Sequence, residues 1–200
     1  MKAEPSPVDK GGGAGRPRDP RIDAAILRAA AELVVDVGYS NLSLAAVAER
    51  AGTTKTALYR RWPSKAELVH EAAFAVPPSA VTAPPGDVAG DIRAMMAGAR
   101  DVFTSPVVRA ALPGLIADMA GNAELTERVM SRFEGLFEVL RQWVADAVSR
   151  GDVRSDVDPG RLLEMIGGAT LFGLMLHPDA DLGGDWVDQA AAIITHGLVV

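Results

Sequence analysis

The densest group of hydrogen-bonding and basic side chains at helical spacing is Thr54-Lys55-Thr56-Ala57-Leu58-Tyr59-Arg60-Arg61. Read as a short helix capped by Thr54, it turns Leu58 inward and leaves Lys55, Thr56, Tyr59 and Arg60 on an outer face. That face offers ammonium, guanidinium and hydroxyl groups with no carboxylate, the chemistry that meets phosphate oxygens and base edges. A solvated face in a plain helical bundle has the same composition, so the run alone does not decide between the two. Just downstream, Ser64-Lys65-Ala66-Glu67 is a capping box. It sets Lys65 in the first turn of a helix, where unpaired N–H groups attract anions.

Other chemistries find little support. The chain has no cysteine, which excludes disulfides, thiol nucleophiles and cysteine-ligated zinc. His70, His177 and His196 are far apart and lack metal-ligand spacing. No catalytic residue, cofactor or metal site is therefore assigned, and the chain is read as not an enzyme. Gly11-Gly12-Gly13-Ala14-Gly15 lacks the preceding strand and the Gly-Lys-Ser/Thr ending of a phosphate-binding loop, and reads as a flexible spacer. Net charge is −6, but it is uneven. Residues 1–70 carry eleven Lys/Arg against eight Asp/Glu, and residues 71–200 carry nine against eighteen. A basic head on an acidic body suggests that one end meets a polyanion. No apolar run approaches the length of a membrane span, so no membrane partner and a cytoplasmic location are expected.

The elements that must position these residues are all helical, and about nine or ten helices are expected with no sheet. Ile26, Ala30, Leu33, Val34 and Val37 mark a first helix that Gly38 ends. Ser43 caps a second to Arg50, and Ala51-Gly52-Thr53 turns the chain into the Thr54 helix. The capping box opens a fourth helix that fades before Pro77-Pro78. Residues 77–86, with four prolines, read as a linker between domains. Asp87, Ser105-Pro106 and Asp158-Pro159 start later helices, and Asp185 caps the last. Pro113-Gly114 is expected to kink its helix and leave room beside it. Leu125, Val129, Phe133, Leu136, Leu140, Trp143 and Ala147 form one apolar stripe, predicting a single long helix from about 124 to 150 that Gly151 ends.

The two short helices and their turn resemble the helix-turn-helix of the tetracycline-repressor (TetR) family. The carrying residues are Gly38-Tyr39, Leu42-Ser43, Val47-Ala48-Glu49-Arg50-Ala51-Gly52 and Thr54-Lys55-Thr56-Ala57-Leu58-Tyr59-Arg60-Arg61-Trp62-Pro63-Ser64-Lys65-Ala66-Glu67-Leu68. The stretch from Arg150-Gly151-Asp152-Val153 to Asp158-Pro159 is similar to a linker in a subset of that family. The resemblance implies an all-α fold: a flexible basic arm over 1–20, a three-helix DNA-binding domain over 21–76, and a larger ligand-binding and dimerisation bundle over 77–200. It implies DNA contacts from Ser43, Thr54, Lys55, Thr56 and Tyr59, with Tyr59 and Lys65 on phosphates. Ala57 and Ala45 stand where the family often has Thr and Arg, so sequence reading falls to Lys55, Thr56, Arg60 and Arg61. Arg16 and Arg18 are expected in an arm that enters a minor groove.

In the C-terminal half, Met95, Phe103, Met119, Phe133, Phe137 and Met165 are the candidate lining of a pocket for a small hydrophobic or aromatic effector. Ordinary core packing explains any one of them better, and the pocket reading rests on the set rather than on its members. Gly167, Gly168 and Gly173, followed by the Ala/Ile-rich last helix, suggest close helix approach. By the resemblance, these last two helices pair with their copies in a homodimer. The expected function is a ligand-responsive repressor on a palindromic operator. A regulator controlled by a protein partner, and a helical metabolite-binding protein or enzyme, remain as alternatives.

Overall fold

The computed structural model describes residues 19–74, 86–177 and 182–199. Among them the chain forms ten α-helices and one 3-10 turn. They are α1 (Pro20–Asn41), α2 (Leu44–Arg50), α3 (Lys55–Tyr59), α4 (Lys65–Ala73), α5 (Val88–Thr104), α6 (Pro106–Ala120), α7 (Ala123–Met130), the turn Ser131–Phe133, α8 (Glu134–Arg150), α9 (Pro159–Leu176) and α10 (Gly184–Leu198). The only β pairing among the described residues is an isolated bridge between Val153 and Val199. No single described helix is long and apolar enough to cross a membrane.

Local chemistry sets most of the boundaries. Ser43, Thr54, Ser64, Asp87, Ser105 and Asp158 each cap a helix by accepting an N–H from its first turn. One such cap stabilises by about 1 kcal/mol. Gly38 interrupts α1 at φ 76°, and Gly151 ends α8 in the left-handed region at φ 79°. Three expectations are corrected. Asp185 lies in the first turn of α10 and Gly183 is the cap. The long helix over 124–150 is broken at Ser131–Phe133, where the Ser131 hydroxyl donates to the Arg128 carbonyl and competes with the α ladder. Pro113-Gly114 stays within one continuous α6, and the bend instead falls at Ser105-Pro106, where α5 and α6 meet at 79°.

The expected linker, residues 77–86, lies almost wholly outside the described residues. The buried side chains form two groups, and these do not divide at that point. Ile26, Val34, Leu58, Trp62 and Leu68 of the N-terminal helices pack in one core with Val108 and Leu115 of α6 and Val129 of α7. The second core unites Ile92 and Met96 of α5 with Leu140 of α8, Leu162 and Ile166 of α9, and Val187 and Ile194 of α10. The four-helix head is thus built onto α6 and α7. Displacing either of those helices must repack the head, because interiors are close-packed.

Candidate nucleic-acid interface

The turn between α2 and α3 requires Gly52, whose φ of +65° would strain other residues. The Thr53 N–H donates to the Ala48 carbonyl at 2.9 Å and closes the turn. Val47, Ala48 and Leu58 are buried and lock the two helices together. Lys55, Thr56, Tyr59 and Arg60 are exposed, as the spacing predicts. Ser43, Lys55, Tyr59 and Lys65 line one concavity of about 460 Å³, together with Leu44, Ala45, Pro63 and Ser64. The N-terminal ends of α2 and α4 open onto this hollow. Two lysines, a tyrosine and the first residues of two helices line one hollow, an arrangement suited to phosphate.

Ser43 and Thr54 lie at this surface, but their hydroxyls already cap α2 and α3, accepting from Ala46 at 3.1 Å and Ala57 at 3.2 Å. Arg61 is corrected outright as a base reader. Its side chain is only 5% exposed, paired with Asp23 of α1 and donating to the Ala57 carbonyl at 2.9 Å. It fastens the recognition helix to α1. Lys65 donates to the Tyr39 carbonyl at 3.0 Å, and its ammonium sits 4.3 Å from the centre of the Tyr39 ring. It is therefore held in place before any ligand arrives. Arg16 and Arg18 lie outside the described residues.

Sequence reading missed what stands behind this surface. The Tyr39 hydroxyl donates to Asp118 of α6, and its ring lies against Gly114. Burial, then the Asp118 carboxylate, raises the phenol above its ordinary pKa, so it stays a proton donor. Glu67 of α4 accepts from Arg128 of α7 at 3.1 Å, while Arg132 pairs with Glu71 and approaches Glu67 at 3.6 Å. Two carboxylates four apart on α4 thus meet two guanidiniums four apart across the joint. That complementary spacing was a readable signal. No local signal marks the Tyr39–Asp118 bond.

The six candidate effector residues do not gather at one place. Phe103, Met119 and Phe133 pack on or beside the first core, and Met95 joins the second. Phe137 is half-buried. Met165 is 54% exposed on α9, on the same side as exposed Phe172. The rings that do meet are His70, Phe74, Phe103 and Phe133. His70 stacks on Phe74 at 5.0 Å and meets the edge of Phe133 at 4.9 Å.

Burial in this cluster, then the nearby Arg132 charge, pushes the His70 imidazole down to about 4, against a smaller upward pull from Glu71. The unfolded chain protonates His70 near pH 6.5, the folded chain only near 4. Between those values the unfolded state binds more protons, so stability falls as pH drops through that window. After discounting for solvent screening, a loss of about 2 kcal/mol is expected. His70→Phe keeps the ring packing and removes this component. Urea unfolding of both proteins at about pH 7 and about pH 4.5 measures it. Equal losses in the two would place the acid sensitivity elsewhere.

Comparison with known proteins agrees with this geometry. Residues 26–72 match the family described as bacterial regulatory proteins, tetR family, and residues 83–194 match the tetracyclin repressor-like C-terminal domain. An HTH-type transcriptional regulator of Mycobacterium tuberculosis is 30% identical over 80% of this chain and 81% of its own length. A DNA-binding transcriptional repressor TetR of Mycobacteroides abscessus is 30% identical over 68% and 72%. Among solved structures, a TetR-family transcription regulator superposes with a TM-score of 0.67 at 28% identity, covering 90% of this chain and all of the other. NalD, the secondary repressor of a multidrug efflux pump in Pseudomonas aeruginosa, shares the fold at a TM-score of 0.59 and 23% identity, over 90% and 98%. With one family description spanning more than half the sequence and a relative at 30% identity spanning four-fifths of both chains, the chain belongs to the TetR family of helix-turn-helix transcriptional regulators and is not an enzyme.

Proposed function

We propose that the chain is a homodimeric repressor that grips a palindromic operator and is released from it by a small, mainly apolar effector. The observation that carries the DNA half is the cradle of Ser43, Lys55, Tyr59 and Lys65 beside the exposed face of α3. In this reading Lys55, Tyr59 and Lys65 hold phosphates, Thr56 and Arg60 face base edges, and residues 1–20 supply a basic arm. Residues 21–76 bind DNA, and residues 77–200 sense the effector and dimerise. The repressors named in Mycobacteroides abscessus and Pseudomonas aeruginosa support repression over activation.

The dimer reading rests on α9 and α10. Met165, Phe172, Met175 and Leu176 are 54–69% exposed along one side of α9, and Ile193 of α10 is 74% exposed. Single exposed apolar residues need no explanation, but an apolar stripe at helical spacing does. Gly168 has open space where a side chain would stand, so a partner helix can approach closely. A two-fold axis there would present two recognition helices to half-sites about 34–36 Å apart. Effector binding then releases DNA only through a higher affinity for the state with the wrong separation.

The test is selection of duplexes from a random pool, followed by titration over a range of salt. Affinity is expected to fall with salt at a log–log slope of about −0.9 per phosphate contact. Lys65→Ala weakens every duplex and makes the slope shallower by about one such contact. Arg60→Ala changes sequence preference instead, by about 1–3 kcal/mol at one base pair. A Lys65→Ala protein with wild-type affinity for all duplexes rejects the phosphate cradle.

A further inference from the structure

A second hollow, of about 450 Å³, lies where the head meets the body and is lined by Leu27 of α1, His70 and Glu71 of α4, Phe74 just after α4, and Arg132 and Phe133 of the 3-10 turn. His70 is only 4% exposed, yet among the described residues neither of its ring nitrogens has a hydrogen-bond partner. A buried imidazole left without a hydrogen bond destabilises the fold, and a ligand that bonds it recovers that loss. We infer that this hollow, walled by the head and by residues 132 and 133 of the effector-sensing body, is the effector site, and that it takes an uncharged planar aromatic molecule bearing a hydroxyl group. The proposal rests on the effector-responsive reading above.

Each part of the ligand class follows from the lining. Phe74 and Phe133 stand 5.8 Å apart at 70°, with His70 stacked on one and edge-on to the other, so the walls offer both faces and edges to a flat ring. An uncharged imidazole supplies one donor and one acceptor, which a hydroxyl satisfies. Charge is disfavoured because Arg132 and Glu71 already neutralise one another at the wall. An anion or a cation would have to break that pair and leave the abandoned group unpaired. The position explains the response. The walls belong to α1, α4 and the 3-10 turn, so an occupant that spreads them tilts α4, whose first residue is Lys65 of the cradle.

The probe is 2-naphthol, with 2-naphthoate and naphthalene as charged and purely apolar comparisons, titrated into the full-length protein by calorimetry. Wild type is expected to bind one 2-naphthol per chain, and 2-naphthoate at least about tenfold more weakly. His70→Phe is expected to weaken 2-naphthol by about tenfold and to leave naphthalene nearly unchanged. Leu27→Trp fills the hollow and should abolish both. Imidazole nitrogen resonances of wild type give an independent reading if the tryptophan variant does not fold, and that of His70 must shift on addition of 2-naphthol. Absence of saturable 2-naphthol binding, an unmoved His70 resonance, or equal binding by His70→Phe overturns the site. Release of the selected duplex by an apolar compound that leaves the His70 resonance unmoved overturns the site and keeps the effector reading. Binding at His70 with no change in DNA affinity keeps the site and overturns the effector reading.

Discussion

Gly114→Ala is expected to destabilise the protein by about 2 kcal/mol, although alanine is the better helix former. Two effects of opposite sign decide the outcome. In mid-helix, the change from glycine to alanine favours folding by about 1 kcal/mol. Against it, the new Cβ would stand 2.5 Å from Cγ of Tyr39 and closer still to Cδ1. That ring cannot step aside cheaply. It is 5% exposed, its hydroxyl is held by Asp118, and its face and carbonyl hold Lys65. Forced overpacking of this kind costs about 3 kcal/mol, so the clash wins. For a chain of this length the melting temperature should fall by about 4–8 °C. DNA affinity should fall as well, because the Tyr39 ring carries Lys65. In a Tyr39→Leu background the same glycine substitution should cost far less, the coupling expected of residues that touch. A melting temperature unchanged by Gly114→Ala would mean that α1 and α6 do not pack through this ring.

Tyr39 also shows where reading the sequence reaches its limit. The helix caps are legible because Ser43, Thr54 and Ser64 act on N–H groups three residues away. The outer face of α3 is legible because Leu58 fixes the phase of a five-residue helix. Arg61 is misleading in sequence because its partner, Asp23, lies 38 positions earlier, and only the packing of α3 on α1 brings them together. The Tyr39–Asp118 bond spans 79 positions. Pro113-Gly114 suggests room for a ligand because a proline-glycine pair records only that something unusual is required. The requirement is the approach of an aromatic ring, which fills space. The break at Ser131–Phe133 is hidden because the apolar stripe resumes almost in phase after the 3-10 turn. The glycines of α9 divide in the same way. A side chain on Gly173 would meet Trp186 of the same chain at 3.0 Å, whereas Gly167 and Gly168 face open space. The first is set by packing within one chain, and the other two are where the partner of the proposed dimer would approach.

That division leads to the second large effect, at the exposed face of α9 and α10. Ile193→Glu and Phe172→Glu are each expected to convert a dimer into a monomer with its helix content intact. Both side chains are more than half exposed in the isolated chain, 74% and 59%, so a carboxylate there meets water and leaves the two cores undisturbed. In a two-fold interface the same substitution appears twice near the axis and buries two like charges against apolar surface, which desolvation and repulsion oppose. The effect on DNA should exceed that of truncating any one side chain of the recognition helix. A dimer places its second recognition helix at high effective concentration once the first is bound, a gain of about 10²–10⁴ in affinity that a monomer forgoes even with its recognition helix unaltered. Sedimentation velocity at micromolar concentration and titration of the selected palindromic duplex measure the two halves of the effect. A single half-site should bind wild type and variants alike, which separates loss of the dimer from damage to the head. Should Ile193→Glu and Phe172→Glu both sediment as wild type and bind the full palindrome equally well, the apolar face is not the dimer interface, and the open space beside Gly168 needs a different occupant.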